Sequence, residues 1–361
     1  MAAIRPRDLL SDDLLAGLGR PGALASDIAR LADAGYLNVA LPPEFGADGL
    51  GCTLRQAACG QRRLARSAPD TALAVSAHLY WTGAAADAYR AGDESVRWLL
   101  VEAARGALIA GGHGAAGSDL KFADPKSRCE PDESGGFLFR DPGVLSTMTP
   151  SWDWIAVHAV HAGAPPRSVI AFAGRGARCT AAFRAARTAA TGTPGDVFTM
   201  SALTWGHAIL ASVQYSDARR AFNDAITACA EAATPAAFAE LGGPAEPVVS
   251  AEPGGLAEPV VSAEPGGLAE PVVPGQGTAG ARLPVRWPLA EAGARLDAMK
   301  AKIAEITHPW QLVQEPTPDL GGQHLISLYA MRARITEGAA SVHALVEQLT
   351  GAKPHALPLA R

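Results

Sequence analysis

A glycine-rich stretch, ALIAGGHGAAGSDL at residues 107–120, carries residue types that could hold a ligand. Because glycine has no side chain, the backbone around Gly117 can approach a bound group closely, and its N–H groups can hold a phosphate or a heteroaromatic ring. Ser118 adds a hydroxyl, and Asp119 can fix the loop. His113 lies in the same loop and could contact a ligand or face water. Taken alone, such a loop is also typical of a plain turn between strands.

Carboxylates and histidines elsewhere are candidate acids and bases. The segment LTWGHAILASVQYSDARRAFNDAI has helical spacing and carries Asp217 and Asp224 but no glutamate. Its spacing singles out neither aspartate, so we interpret both as surface charges of an amphipathic helix. His78 lies in the apolar stretch AVSAHLYW, which favours a buried core histidine over a ligand contact. Trp205 and His207 are interpreted as packing residues.

Composition and charge exclude several classes of partner. The chain has 361 residues, of which 48% are hydrophobic, enough for a sizeable core and more than one domain. A net charge of −5 offers no basic surface for nucleic acid or an anionic membrane. The sequence has neither a secretion signal nor an apolar segment of about 18 residues, so we expect a cytoplasmic protein without membrane insertion.

The five cysteines predict neither a disulfide framework nor a metal site. They are odd in number, widely spaced and form no C-x-x-C pair. No histidine pair has the spacing of a zinc motif. We therefore expect buried or unreactive thiols and no metal.

Hydrophobic periodicity predicts helices, then strands, then helices. Residues 1–107 repeat apolar positions at helical spacing, with Gly or Pro after each run. Residues 108–200 hold shorter runs rich in β-branched residues, such as DWIAVHAV, and residues 201–361 return to helical spacing. We predict an N-terminal helical domain, a central β domain and a C-terminal helical bundle over these ranges.

A proline-rich repeat interrupts the predicted bundle at about residues 242–282. The twelve residues AEPVVSAEPGGL at 245–256 recur unchanged at 257–268, and a partial third copy follows. Proline excludes a helix interior, and few apolar positions remain to build a core. We predict a disordered insertion; the alternative, a solenoid, would need more apolar positions in its stacked units.

The order of these segments and several motifs resemble the acyl-CoA dehydrogenase family. The stretch LADAGYLNVALPPEFGADGLG is similar to the family's first-domain pattern, in which a helix ending in Ala-Gly precedes a Pro-x-x-Phe-Gly turn. GGHGAAGSDL stands where the family has a Thr-Glu-Pro-x-Ala-Gly-Ser-Asp loop. LSTMTPSWDWIAVHAV resembles the family's next strand and puts Thr147 at the position of the flavin-facing hydroxyl. RITEGAASVHALVEQLTGA resembles the late helix before a Gly-Gly turn.

The resemblance implies a mostly α fold with a central β domain: an N-terminal helical domain, a β-barrel-like domain and a C-terminal helical bundle. It implies an FAD-dependent oxidoreductase, a homodimer or homotetramer, that oxidises the CH–CH bond of an acyl thioester such as an acyl-CoA. In that chemistry a glutamate removes a proton while hydride passes to the flavin. The implied flavin contacts are Gly117, Ser118, Thr147 and His113.

The sequence departs from the family pattern at the catalytic base. The chain ends at LTGAKPHALPLAR, where the segment with the family's usual glutamate would begin, so no catalytic residue can be named. In the glycine-rich loop, Gly112, His113 and Gly114 replace the family's Thr, Glu and Pro, and Leu145 stands at an aromatic position that shields the flavin. Each change removes a hydrogen bond or a stacking contact.

Two alternatives therefore remain open beside the dehydrogenase. A flavin-dependent monooxygenase of the same fold uses reduced flavin and oxygen and needs no glutamate base, and Thr147 or His113 would suit it. A degenerate, non-enzymatic subunit would have lost the flavin contacts. Retention of added flavin separates the two enzymes from the subunit.

Overall fold

A computed structural model describes residues 5–46, 49–111, 128–131, 137–140, 151–161, 167–174, 183–184, 187–191, 197–232, 283–308, 318–351 and 353–354. Its helices are α1 (Asp12–Ala16), α2 (Leu24–Asp33), α3 (Leu54–Ser67), α4 (Pro69–Arg90), α5 (Arg97–Ala104), α6 (Val197–Ala232), α7 (Leu283–Thr307) and α8 (Pro318–Thr350). Short 3₁₀ helices span Pro6–Asp8, Tyr36–Asn38, Pro43–Phe45 and Glu94–Val96. Its strands are β1 (Ile109–Gly111), β2 (Arg128–Pro131), β3 (Phe137–Arg140), β4 (Trp154–His161), β5 (Arg167–Gly174), β6 (Phe183–Arg184) and β7 (Arg187–Thr191).

Helix α4 is the centre of the N-terminal helices. Its apolar residues lie on every side and nearly all are buried, as expected of a helix that other elements surround. Pro69 occupies its first turn, where the missing N–H costs no hydrogen bond. The preceding helix, α3, is capped reciprocally: Gln56 N donates to Thr53 Oγ1 at 3.3 Å, and Thr53 N donates to Gln56 Oε1 at 2.8 Å.

The strands form one sheet in the order β6-β3-β2-β4-β5-β7. β4 and β5 pair antiparallel over their full length, from Trp154 opposite Gly174 to His161 opposite Arg167. β1 and β2 share the other edge of β4, and both run parallel to it. The chain therefore leaves this edge beside Ala156, after Gly111, and returns to it beside Val160.

Helices α6, α7 and α8 pack as a bundle around a second core, which includes Leu203, Leu296 and Leu328. α6 and α8 run in the same direction, because Thr204 contacts His324 and Asp217 contacts His343 further along both helices. α7 runs against α8, with Arg295 beside Ser341 and Met299 beside Gly338. The repeat at 242–282, between α6 and α7, lies outside the described residues.

The predicted order of helices, strands and helices is confirmed, and so is the predicted fold class. α6 begins at Val197, and the domain bounds predicted from the sequence remain a prediction. No helix in the described ranges has the combination of length and apolarity that crossing a membrane requires.

Candidate functional site

The residues predicted to contact a flavin cannot be located. Gly117, Ser118, Thr147 and His113 all lie outside the described residues, as do Asp119 and Leu145. The nearest described residues along the chain show where the two segments leave and rejoin the described part of the fold. β1 ends at Gly111, just before the glycine-rich loop, and Ser151 opens the described segment that follows Thr147.

Hydrogen bonds fasten these two flanking segments to each other at one corner of the sheet. Leu108 N donates to Asp153 Oδ2 at 2.9 Å. In return, Asp153 N and Trp154 N donate to Leu108 O at 2.9 and 3.0 Å. The first pair of the β1–β4 ladder, Ile109 opposite Trp154, follows directly. The described residues just before the glycine-rich loop and those just after Thr147 therefore lie at the same corner of the sheet.

His78 holds this corner to helix α4. Its Nδ1 accepts a hydrogen bond from Ile109 N at 3.2 Å, and its Nε2 lies 3.0 Å from Leu37 O, so these partners assign the proton to Nε2. Its side chain is 1% exposed, and burial lowers the pKa of His78 to about 4. The imidazole is neutral at pH 7 and both its nitrogens bond to backbone. The predicted core histidine is confirmed.

An aromatic junction lies where α4, β5 and α6 meet. The Trp81 indole packs against Phe172 at 5.2 Å between ring centroids and stacks on Phe198 at 5.9 Å. Phe172 pairs with Ala156 of β4, which in turn pairs with Gly111. The junction is therefore two strand spacings, about 10 Å, from the point where the chain enters the glycine-rich loop.

Two buried donors at this junction have no hydrogen-bond partner among the described residues: Trp81 Nε1 and Ser201 Oγ. Ser201 lies one turn after Phe198 on the same side of α6. The Tyr80 hydroxyl is near enough for the indole N–H to act on its pKa, but burial outweighs this effect and raises the pKa of Tyr80. A buried donor without an acceptor costs about 1–3 kcal/mol, so a ligand that supplied acceptor atoms here would recover that energy.

This donor set fits a flavin. The isoalloxazine ring carries several acceptor atoms that these two donors could bind, while the rings of the junction pack against one another, with Trp81 4%, Phe172 3% and Phe198 1% exposed. Asp87 of α4 is already paired: its Oδ2 accepts a hydrogen bond from Trp205 Nε1 at 2.8 Å, and its Oδ1 pairs with Arg90 at 3.1 Å.

The prediction that Asp217 is a surface charge is wrong. Asp217 is 2% exposed, forms an ion pair with Arg220 at 2.8 Å, and lies 3.5 Å from His343 Nε2. It is buried because α3, α4, α7 and α8 all pack against α6 and leave this part of the helix without a solvent face. Nineteen residues separate Asp217 from Phe198, about 28 Å along the helix axis, so it is remote from the junction. Asp224, 70% exposed, is the surface charge predicted.

Sequence analysis missed a polar cluster between α6 and α8. Thr204 Oγ1 donates to Met200 O at 2.7 Å and lies 2.8 Å from His324 Nε2. Burial lowers the pKa of His324. His207 packs edge-on against Tyr329 at 5.5 Å, in agreement with its interpretation as a packing residue. These residues come together only because α6 and α8 pack against each other. No pattern within either helix sequence predicts the contact.

Thiols and metal ligands form no centre in the part of the chain that the structure describes. Cys52, Cys59, Cys129 and Cys229 are all free thiols. Burial raises the pKa of Cys52 to about 12 and that of Cys129 to about 11, which makes both poor nucleophiles. The described ranges contain no group of three or more metal-ligating side chains.

No family model and no curated protein sequence matches the chain, but solved structures do match it. KijD3 in complex with dTDP is 17% identical with a TM-score of 0.65, over 99% of this chain and 88% of KijD3. The FMN-bound dibenzothiophene monooxygenase TdsC from Paenibacillus sp. A11-2 is 15% identical with a TM-score of 0.62, over 96% and 84%. Butyryl-CoA dehydrogenase from Megasphaera elsdenii is 13% identical with a TM-score of 0.62, over 99% and 89%. The chain therefore has the acyl-CoA dehydrogenase fold that the sequence motifs predicted.

Proposed function

We propose that this protein is a flavin-dependent oxidoreductase that acts on a small organic molecule. The observation that carries the proposal is the aromatic junction, where the buried Trp81 N–H has the Tyr80 hydroxyl nearby but no well-aligned acceptor among the described residues. This junction lies about 10 Å from Gly111, which precedes one predicted flavin-binding segment and belongs to the same corner as Asp153, which follows the other. Support also comes from the fold, because KijD3 and TdsC have both been crystallised with FMN.

The proposed cofactor is FAD, with FMN as the alternative. Backbone N–H groups at Gly117 and Ser118, the Thr147 hydroxyl and His113 are the proposed contacts, as the sequence resemblance implies. Trp81 and Ser201 would add donors from the helical side. A bound flavin would supply the hydride and electron transfer that no side chain can perform. The protein's own task is to hold the ring, exclude water and orient the substrate.

Two reactions fit this cofactor. Oxidation of an acyl thioester, the first candidate, is supported by the sequence motifs and by the likeness to butyryl-CoA dehydrogenase. Monooxygenation, the second, is favoured by the position of Asp217: the buried carboxylate of α6 is paired with Arg220, about 28 Å along the helix from Phe198. Removal of a proton next to a thioester needs a carboxylate within hydrogen-bond reach of the substrate, whereas monooxygenation does not.

Absorption spectroscopy tests the cofactor first. The purified protein is desalted after incubation with excess FAD or FMN, and the visible bands of oxidised flavin are quantified. About one flavin per chain supports the proposal. A colourless protein that retains neither flavin contradicts it and favours the non-enzymatic subunit.

Two assays on the flavin-loaded protein then separate the reactions. Bleaching of the flavin by butyryl-CoA without oxygen identifies acyl thioester oxidation. Oxygen consumption that depends on an added flavin reductase and an organic substrate identifies monooxygenation. Light scattering during gel filtration tests the proposed homodimer or homotetramer.

A further inference from the structure

An open cavity of about 450 Å³ lies on the outer face of α5, where this helix meets the start of β4. This cavity has a volume in the range of small-molecule sites. It is lined by two tryptophans, Trp98 and Trp154, by a stripe along α5 that includes Arg97, Val101 and Arg105, and by two acids, of which Glu102 pairs with Arg105 and Glu94 lies near Arg97. The stripe follows the helical spacing i, i+4, i+8, so these three side chains project from one side of α5.

The two indoles form a fixed aromatic wall. Trp98 meets Trp154 edge-on at 5.1 Å between ring centroids and meets Phe172 edge-on at 5.6 Å. Both tryptophans are half-buried, so packing holds them in place while part of each side chain remains accessible. Rings fixed in this way lose little conformational entropy on binding a flat ligand.

Arg97 provides a cation that is not committed to a hydrogen bond. Its nearest acid is Glu94, with Nε 3.9 Å from the carboxylate, and its guanidinium lies 5.8 Å from the centroid of the Phe45 ring. No side-chain hydrogen bond joins Arg97 to a described residue. Arg105, by contrast, donates to Glu102 at 3.0 Å. No described residue accepts a hydrogen bond from Arg97, and its ion pair with Glu94 is long, so its guanidinium can bind a ligand oxyanion through two parallel hydrogen bonds.

We infer that this cavity binds a planar aromatic molecule that carries an oxyanion, with its ring against Trp98 and Trp154 and its anion at Arg97. Carboxylate and phosphate share this chemistry. The inference does not depend on the proposed flavin site, because every residue that carries it lies on α5, on the first residue of β4 or beside them.

Isothermal titration calorimetry on the full chain without added flavin tests the inference. The probes are 1-naphthoate, 1-naphthyl phosphate and the neutral 1-naphthamide, which share one ring system. At least one acid is expected to bind about tenfold more tightly than the amide, the value of one charge-assisted contact. Which acid binds more tightly distinguishes carboxylate from phosphate. If neither acid binds more tightly than the amide, the inference is overturned.

Variants of Arg97 assign the effect to this cavity. Arg97→Gln is expected to lower the affinity for the preferred acid about tenfold, and Arg97→Lys, which keeps the charge but loses the planar fork, to lower it less. Arg66→Gln, an exposed arginine on α3, is the matched control and should leave binding unchanged. Equal binding by the wild type and Arg97→Gln, with unchanged circular dichroism, would also overturn the inference. Flavin retention is measured separately, so a failure here leaves the proposed function untouched.

Discussion

The Trp205 indole of α6 occupies the space above Gly83 of α4, where any side chain at position 83 would collide with the ring. The same indole donates its N–H to Asp87 Oδ2, one turn further along α4. Gly83 and Asp87, four residues apart on α4, thus both contact the Trp205 indole. This contact sets how closely α4 and α6 approach.

Gly83→Ala is expected to destabilise the protein although alanine is the better helix former. The added methyl group must displace a fully buried ring, and overpacking of this kind costs about 1–3 kcal/mol. Chemical denaturation measures the change in the free energy of unfolding. Gly322→Ala is the control, because nothing lies within 4 Å of a Cβ at this exposed helical glycine. It should be neutral or slightly stabilising.

Replacement of Asp217 by Asn is expected to destabilise the bundle. The change leaves Arg220 and His343 without the carboxylate between them, and loss of such a charged hydrogen bond costs about 1.5–3 kcal/mol. Asp224→Asn, on the same helix but 70% exposed, should change stability by less than about 0.5 kcal/mol. Equal effects of the two changes in thermal or urea denaturation would contradict the buried ion pair.

The protein is expected to lose stability as pH falls from about 6.5 to about 4, in part because of His78. Burial lowers the pKa of His78 in the folded state to about 4, so in this window the unfolded chain binds the extra proton. Stability is full above the unfolded pKa and falls by roughly 3 kcal/mol towards pH 4. Burial also lowers the pKa of His158 to about 4, which adds to the slope.

Unfolding free energies measured against pH for the wild type and His78→Gln check this assignment. Glutamine does not titrate, so the slope between pH 6.5 and 4 should fall by about 1.4 kcal/mol per pH unit. His308→Gln, at the exposed residue directly after α7, is the control substitution. An unchanged slope in His78→Gln would show that another group carries the dependence.

Trp81→Phe is expected to weaken flavin binding about tenfold, because it keeps an aromatic ring but removes the unmatched N–H. Fluorescence titration of FAD and FMN gives the Kd. Trp287→Phe, which changes a tryptophan that is 77% exposed, should leave the Kd unchanged. If Trp81→Phe binds flavin as tightly as the wild type, Trp81 is not a flavin contact.

Local sequence patterns predicted those helices and strands whose own residues carry the characteristic spacing. The helical spacing within residues 1–107 corresponds to helices such as α3 and α4, and the β-branched run DWIAVHAV becomes β4. The burial of Asp217 could not be predicted in this way, because it depends on which helices cover α6 on its remaining sides. The junction of Trp81, Phe172 and Phe198 likewise joins residues from three separate elements of the chain, which no single segment encodes.

β1 and β2 pair with the same edge of β4. The stability of this part of the sheet therefore does not depend on how many residues connect the two strands. Gly111 lies beside Ala156 and Arg128 lies beside Val160, points only about 13 Å apart along one strand, and sixteen residues of sequence connect them. Sixteen residues are far more chain than that gap requires. Residues could therefore be added, lost or exchanged between positions 111 and 128 while β1 and β2 keep their pairing with β4. Such a frame lets the sequence between β1 and β2 diverge at little cost to folding.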